Sequence, residues 1–416
     1  MKILKIKGGN KLTGSINIGG AKNSAVALVP AAILSDQSTI LNVPEISDIK
    51  ALKEILTYLN VDYKTKDDKL IIDAKRLKNK PITLEHSKLL RASYYFMGAL
   101  LGKFKHAEMY FPGGCTIGQR PIDLHLKGFE SLGAKITTEG EKYIIDADRL
   151  VGAPINLTFP SVGATINIIL AAVYASGTTV INNAAKEPEV GNVIDFLNSM
   201  GAEIQGKDTS TITIEGNKPL KYGKIKTIPD RIEAGTYVIA GVMCGDNLKI
   251  NNVIPSHFQS LIDKLKEMGA SIIVKENYVV VNKAKTLKPI NIITETYPGF
   301  PTDLQQPMTT LLALANGTST ITENIYENRF QNVKYLNQMG ANIKIKDRTL
   351  TIKGPTKYQS NEVVTTDLRG GAALILAALS ADGLTTIKEV KYVLRGYGNI
   401  IKKLSKVGVE ITLEDV

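Results

Sequence analysis

Cysteine is scarce: the 416 residues hold two, Cys115 and Cys244. Two thiols cannot build a disulfide scaffold, and they suit a reducing compartment. Long apolar runs are missing as well. The longest, such as Ala372 to Leu379, fall far short of the roughly 20 residues a membrane span needs. The opening Met1-Lys2-Ile3-Leu4-Lys5-Ile6-Lys7 is basic but has no apolar stretch long enough for a secretory signal. A soluble, cytoplasmic protein is the expectation. The four histidines, His86, His106, His125 and His257, do not stand at metal-ligand spacing, and no Cys/His cluster accompanies them. No dinucleotide fingerprint and no P-loop occur. No run of five like charges and no basic stripe interleaved with aromatics occurs either, which argues against nucleic acid as a partner.

What is present is ordinary globular material: 44% hydrophobic and 22% charged residues, enough apolar side chain to exclude disorder as the main state. The net charge of +11 calls for a partner of the opposite sign or for a solvated lysine-rich surface. Residues 21–228 hold 25 basic against 22 acidic side chains, a net +3, and the remainder 26 against 18, a net +8. A few basic residues converging on an anionic small molecule is the sharper reading.

Length alone, at about 150 residues per domain, suggests about three domains. A repeat overrides that prior. A helix end running into a strand reads Tyr-Leu-Asn-Val-Asp-Tyr at 58–63, Ser-Leu-Gly-Ala-Lys-Ile at 131–136 and Ser-Met-Gly-Ala-Glu-Ile at 199–204. It recurs as Glu-Met-Gly-Ala-Ser-Ile at 267–272, Gln-Met-Gly-Ala-Asn-Ile at 338–343 and Lys-Val-Gly-Val-Glu-Ile at 406–411. The third position is Asn60, Gly133, Gly201, Gly269, Gly340 and Gly408, the residue types that accept a left-handed turn after a helix. Each unit of about 69 residues also carries a second helix rich in small residues and apolar on nearly all sides, which predicts burial. These begin near 21, 90, 161, 231, 301 and 367. The unit reads helix, strand, helix, strand, strand, a βαβ-type element. Grouped three and three, the units predict an α/β fold with helices inside and sheets outside. One domain spans 21–228. The other combines 1–20 with 229–416 and so contains both termini, the β-rich Ile3 to Ile18 stretch completing the sixth unit.

The starts of the small-residue helices carry Lys22 and Asn23, Arg91, Ser161-Val162-Gly163, Arg231, Thr302-Asp303, and Asp367 with Arg369. Cations oppose the helix dipole there unless an anion sits between, a local conflict expected at functional sites. The plainer reading pairs each with a nearby carboxylate. Gly19-Gly20-Ala21-Lys22-Asn23-Ser24 is read as a phosphate cradle or a turn. Pro112-Gly113-Gly114-Cys115-Thr116-Ile117-Gly118-Gln119-Arg120 places a thiol in a Gly-rich loop five residues before an Arg, surroundings that lower thiol pKa; a small apolar plug is the alternative. Cys244, inside a small-residue helix, reads as a buried core thiol. Asp303 could cap its helix or act as a base toward a hydroxyl. Lys186, Glu187 and Glu189, with Asp230, Arg231 and Glu233, are read either as interdomain salt bridges or as ligand contacts. Arg329 and Arg395 fall on predicted loops that could close over an anion.

Together GGAKNSA, LLRAS, PGGCTIGQRPIDLH, SVGATIN, AKEPEV, PDRIEAGT, GFPTDLQ, ENRF, TDLRGGAAL and LRGYG, in that order, resemble the UDP-N-acetylglucosamine 1-carboxyvinyltransferase family over nearly the whole chain. The resemblance implies an inside-out α/β prism of six βαβαββ-type units in two similar domains, with the site in the cleft between them. It implies transfer of the enolpyruvyl group of phosphoenolpyruvate to the 3′-hydroxyl of UDP-N-acetylglucosamine, the first committed step of peptidoglycan synthesis. Neither a metal, an organic cofactor nor an obligate protein partner is implied. By resemblance, Lys22, Asn23, Arg120 and Arg395 hold phosphoenolpyruvate. Cys115 is the general acid and site of a covalent adduct, and Asp303 takes the hydroxyl proton. Arg91, Arg120, Pro121, Ile122, Asp123, Leu124, Pro160, Ser161, Val162, Gly163, Asp303 and Ile325 hold the UDP-sugar. Arg329, Asp367 and Arg369 are candidates for support or closure. The chain departs from common members at Leu394, Pro160 and Tyr297. The rival readings are a 3-phosphoshikimate 1-carboxyvinyltransferase, which does not characteristically carry the Cys115 loop, and a non-catalytic anion-binding prism protein.

Overall fold

The computed structural model describes residues 2–110 and 122–415. The six small-residue helices are α1 (Lys22–Ala32), α2 (Tyr95–Phe104), α3 (Val162–Ala172), α4 (Arg231–Cys244), α5 (Thr302–Leu312) and α6 (Leu368–Ser380). Nearly every residue of each is buried, including Gln305, Gln306, Thr309 and Thr310 of α5. Small side chains are what let such helices approach one another. At Gly98 of α2 an added Cβ would lie 2.3 Å from the Asn167 carbonyl oxygen of α3, inside van der Waals contact.

Sheets lie outside the helices. Among the described residues there are six open sheets, five of four strands and one of three. They share one plan: a parallel pair at one edge, then two antiparallel steps. Asn291–Ile293 runs parallel to Thr318–Thr322, which pairs antiparallel with Thr349–Lys353, which pairs with Asn342–Lys346. The three-stranded sheet lacks only a full parallel edge; a single parallel bridge from Ile82 to Met109 stands in its place. Strand Lys69–Asp73 shows how the sheets face: Leu70 and Ile72 are buried at 1% and 0%, while Ile71 between them is 41% exposed. One face covers helices and the other is wet. The expected prism is therefore built of separate open sheets around buried helices.

The marker residues take the predicted turn. Asn60, Gly133, Gly201, Gly269, Gly340 and Gly408 all have positive φ, from 62° to 105°. The described residues divide into two compact units, one from Gly20 to Ile228 and one comprising those up to Gly19 with those from Pro229 onward. Each has its own apolar core. In the second, strand Lys2–Lys7 inserts between Leu384–Lys388 and Glu410–Asp415, antiparallel to both. Leu12–Asn17 forms the parallel edge beside Gly245–Asn251. No helix among the described residues is long and apolar enough to cross a membrane.

Candidate active site

The described site residues of the Gly20–Ile228 unit stand at or just before the starts of helices. Lys22 is the first residue of α1, whose N-cap Ala21 offers no side-chain oxygen. Its Nζ lies 2.9 Å from the buried Asp48 carboxylate in the first turn of helix Ser47–Tyr58. Asn23 is half-buried beside it. The next residue, Ser24, donates to Asn192 Oδ1 at 2.5 Å. Asn192 also accepts the Ile228 N–H and donates to the Lys226 carbonyl, which ties the start of α1 to the strand leaving the unit.

Arg91 opens a 3₁₀ turn, Arg91–Tyr94, and α2 begins only at Tyr95. The basic residue thus stands one turn before the α-helix instead of in its first turn, a correction to the sequence-based boundary. Ile122 is buried, Asp123 is exposed at the start of helix Asp123–Ser131, and Leu124 is half-buried. Pro160 leads into Ser161, which caps α3 by accepting the Ala164 N–H at 3.2 Å; Val162 and Gly163 form the first turn. Burial, and then the charge of Arg91, push the His125 imidazole down to about 3, so it is neutral.

The other unit holds the carboxylate. Asp303 is the second residue of α5, its side chain 24% exposed. Oδ1 accepts from Arg329 at 2.6 Å and Oδ2 from Arg369 at 3.0 Å. Burial acts to raise this carboxyl, but Arg369 and then Arg329 outweigh it and hold it well below the usual carboxylate range. Asp303 does not cap its own helix; no side chain does. Asp367 is the cap of α6, its Oδ1 accepting the N–H groups of Arg369 and Gly370 and its Oδ2 accepting from Gln306 and Thr366. Arg369 lies over the Tyr397 ring at 5.4 Å, and the Tyr397 hydroxyl is 2.9 Å from Thr236 Oγ1.

Two groups of charged residues find partners inside the protein. Arg329 is only 3% exposed, locked to Asp303 and to Thr302 Oγ1 at 2.7 Å; burial beside a carboxylate requires that pairing. The charge conflict at the helix starts is met in part inside the protein, by Asp48 for Lys22 and Asp303 for Arg369. Arg231 lies over the Tyr297 ring, Asp230 caps α4, and Glu233 pairs with Lys403 at 2.5 Å within the same unit. Arg395, half-buried, follows the short helix Lys391–Leu394. Cys244 is a buried core thiol, pushed up to about 11 mainly by burial. Cys115, Arg120 and Pro121 lie outside the described residues.

Sequence reasoning missed Glu323. It is 1% exposed. Its carboxylate accepts from Thr294 and Thr302 and from the backbone N–H groups of Ile325 and Tyr326, all at 2.8–3.1 Å. This places Ile325 and steadies the loop that carries Arg329. An acid directly after the β-rich segment Thr318–Thr322 was the available signal.

Residues 6–404 match the family described as EPSP synthase (3-phosphoshikimate 1-carboxyvinyltransferase). The UDP-N-acetylglucosamine 1-carboxyvinyltransferase 2 of Bacillus subtilis strain 168 is 49% identical over 416 residues, covering 100% of this chain and 97% of its own. The protein of the same name from Staphylococcus aureus strain MRSA252 is 48% identical, covering 100% of this chain and 99% of its own. The chain belongs to the enolpyruvyl transferases. Among solved structures, the enolpyruvyl transferase NikO of Streptomyces tendae superposes with TM-score 0.90 at 25% identity, covering 100% of this chain and 99% of that one. An EPSP synthase from Acinetobacter baumannii superposes with TM-score 0.75 at 18% identity over 100% of both chains, a likeness of fold alone. The protein is a transferase of this family, with the buried helices and outer sheets expected from its repeats.

Proposed function

We propose that the protein transfers the enolpyruvyl group of phosphoenolpyruvate to the 3′-hydroxyl of UDP-N-acetylglucosamine and releases phosphate. The observation that carries this is identity of 48–49% along essentially the whole of both chains to proteins bearing that name. The shikimate reaction is less well supported, because the EPSP synthases agree in fold at only 18–19% identity.

The reaction adds an alcohol across the double bond of an enol phosphate and then eliminates phosphate, leaving an enol ether. A bond forms between the sugar 3′-oxygen and C2 of phosphoenolpyruvate while a proton is added at C3. The C2–O bond to phosphate then breaks as C3 gives up a proton, restoring the double bond. Cys115 is assigned the proton delivery to carbon and the adduct-forming role, and Asp303 the acceptance of the hydroxyl proton. Lys22, Asn23, Arg120 and Arg395 are assigned to phosphoenolpyruvate, where fixed cations stabilise charge developing on the leaving phosphate. The UDP-sugar is assigned to Arg91, Arg120 to Leu124, Pro160 to Gly163, Asp303 and Ile325. Asp303 is ionised, as a base must be, yet two guanidinium groups make it a weak one. Proton transfer therefore calls for one of them to withdraw from it in the reacting complex. In a cell this activity supplies peptidoglycan synthesis, hence wall assembly, cell shape and division, and places the enzyme in the cytoplasm with its substrates.

The test is phosphate release from phosphoenolpyruvate in the presence of UDP-N-acetylglucosamine, with shikimate 3-phosphate as the control. Release with the UDP-sugar only is expected. Release with shikimate 3-phosphate only would overturn the assignment, and release with neither would favour a non-catalytic anion-binding protein.

A further inference from the structure

Asn167 lies on the second turn of α3, 0% exposed and among apolar neighbours, where an amide is costly unless every polar atom is matched. Its Oδ1 accepts the Gly98 N–H of α2 at 2.9 Å. That bond fixes which end of the amide is which, because a backbone N–H can only donate. Nδ2 then faces the other way, toward the Tyr94 carbonyl at 3.1 Å and the His125 ring at 2.8 Å. An NH₂ group can only donate, so His125 Nδ1 must accept and the ring hydrogen must sit on Nε2. One side chain therefore links four elements: the 3₁₀ turn that opens with Arg91, α2 through Gly98, the helix that opens with Asp123, and α3 itself.

The face of the imidazole away from Asn167 meets the first turn of α3. A Cβ at Gly163 would lie 2.9 Å from His125 Cε1, 3.0 Å from Nε2 and 3.1 Å from the Tyr94 hydroxyl. The Tyr94 and His125 rings stand edge to face at 5.0 Å. Arg91, Asp123, Leu124 and Ser161 to Gly163 all belong to the segments joined here, and all were assigned above to the UDP-sugar.

We propose that Asn167 is a positioning residue for the UDP-sugar. Through His125 it sets the Nε2–H tautomer and the spacing between the Arg91 turn, the Asp123 helix and the first turn of α3. The neutral ring also spares Arg91 a second cation beside it; burial and the Arg91 charge both disfavour the imidazolium. This inference rests on the function proposed above and adds to it a role for the last residue of the SVGATIN stretch, to which none was assigned.

The experiment is steady-state kinetics of Asn167→Asp and Asn167→Leu. Asn167→Asp keeps the acceptor for Gly98 and replaces the donor facing His125 with an oxygen, which draws a proton to Nδ1. The KM for UDP-N-acetylglucosamine should rise about tenfold, the effect of one hydrogen bond. The KM for phosphoenolpyruvate and kcat should change far less. Equal changes in both KM values, or a loss of thermal stability with the UDP-sugar KM unmoved, would overturn the proposal and leave Asn167 a packing residue. A second measurement does not depend on the variants folding. In ¹⁵N spectra of the wild-type protein, His125 should show a protonated Nε2 and a bare Nδ1, and its signals should shift on adding UDP-N-acetylglucosamine. An Nδ1–H tautomer, or no shift at saturation, would overturn it. Failure of the underlying assignment would look different: the wild-type protein would release no phosphate with this sugar, and the inference would fall with it.

Discussion

Asp303 shows how much a single side chain depends on its neighbours. Its sequence position allowed either a helix cap or a base, and the cap is excluded because no side chain caps α5. Two buried guanidinium groups depress its pKa. The stability this contributes is fully present above the unfolded value, about 3.9, and is lost as pH falls below that toward the folded value. Asp303→Asn should therefore destabilise the protein at pH 7 by about 2–3 kcal/mol, since it leaves two cations without their carboxylate. The gap to wild type, measured by urea unfolding at several pH values, should shrink below about pH 4; a gap constant down to pH 3 would refute the pairing argument. Turnover of the same variant should fall by about 10²–10⁴-fold, the range for loss of a general base. Activity within tenfold of wild type would remove Asp303 from that role.

At the scale of elements, two kinds of glycine are in use, and they predict different costs. Gly269 ends a helix at φ +93°, and the nearest atom to an added Cβ is 3.7 Å away. Gly269→Ala meets no clash and should cost only the left-handed backbone penalty, about 1–2 kcal/mol. Gly98 has ordinary backbone but lies against α3, where a Cβ would come within 2.3 Å of the Asn167 carbonyl. Gly98→Ala must push two buried helices apart and should cost about 3 kcal/mol or more. Chemical denaturation of both variants checks the order. The first kind was legible because its spacing repeats and its chemistry is local. The second was not, because the atom it must avoid lies about 70 residues away on another helix.

For the molecule as a whole, the described residues between Gly20 and Ile228 form a unit with its own core and its own sheets. A fragment of residues 20–228 should therefore fold alone, with dispersed NMR signals and a cooperative thermal transition; a molten fragment would show that its core is insufficient. The other unit is built from both ends of the chain. Removing residues 1–8 would take away a strand bonded on both sides. Calorimetry of that truncation should show the transition of this unit lost or broadened while that of the 20–228 unit survives.

The residues themselves determined the repeat, the burial of the small-residue helices and the family, because each is written in local spacing: Gly-Ala after a helix, apolar side chains all round, motifs in order. Tertiary structure alone decided what the buried polar side chains do. Glu323 and Asn192 resemble any other acid or amide in sequence, and the place of Asn167 at the end of SVGATIN does not say what its amide bonds. Their roles come in large part from groups distant in the chain, such as Thr294 for Glu323, Gly98 for Asn167 and Ser24 for Asn192. Arg329 likewise read as a loop cation that could close over an anion, and folding buries it against Asp303. A buried polar atom must be satisfied by whatever folding brings beside it, and local sequence does not record which atom that is.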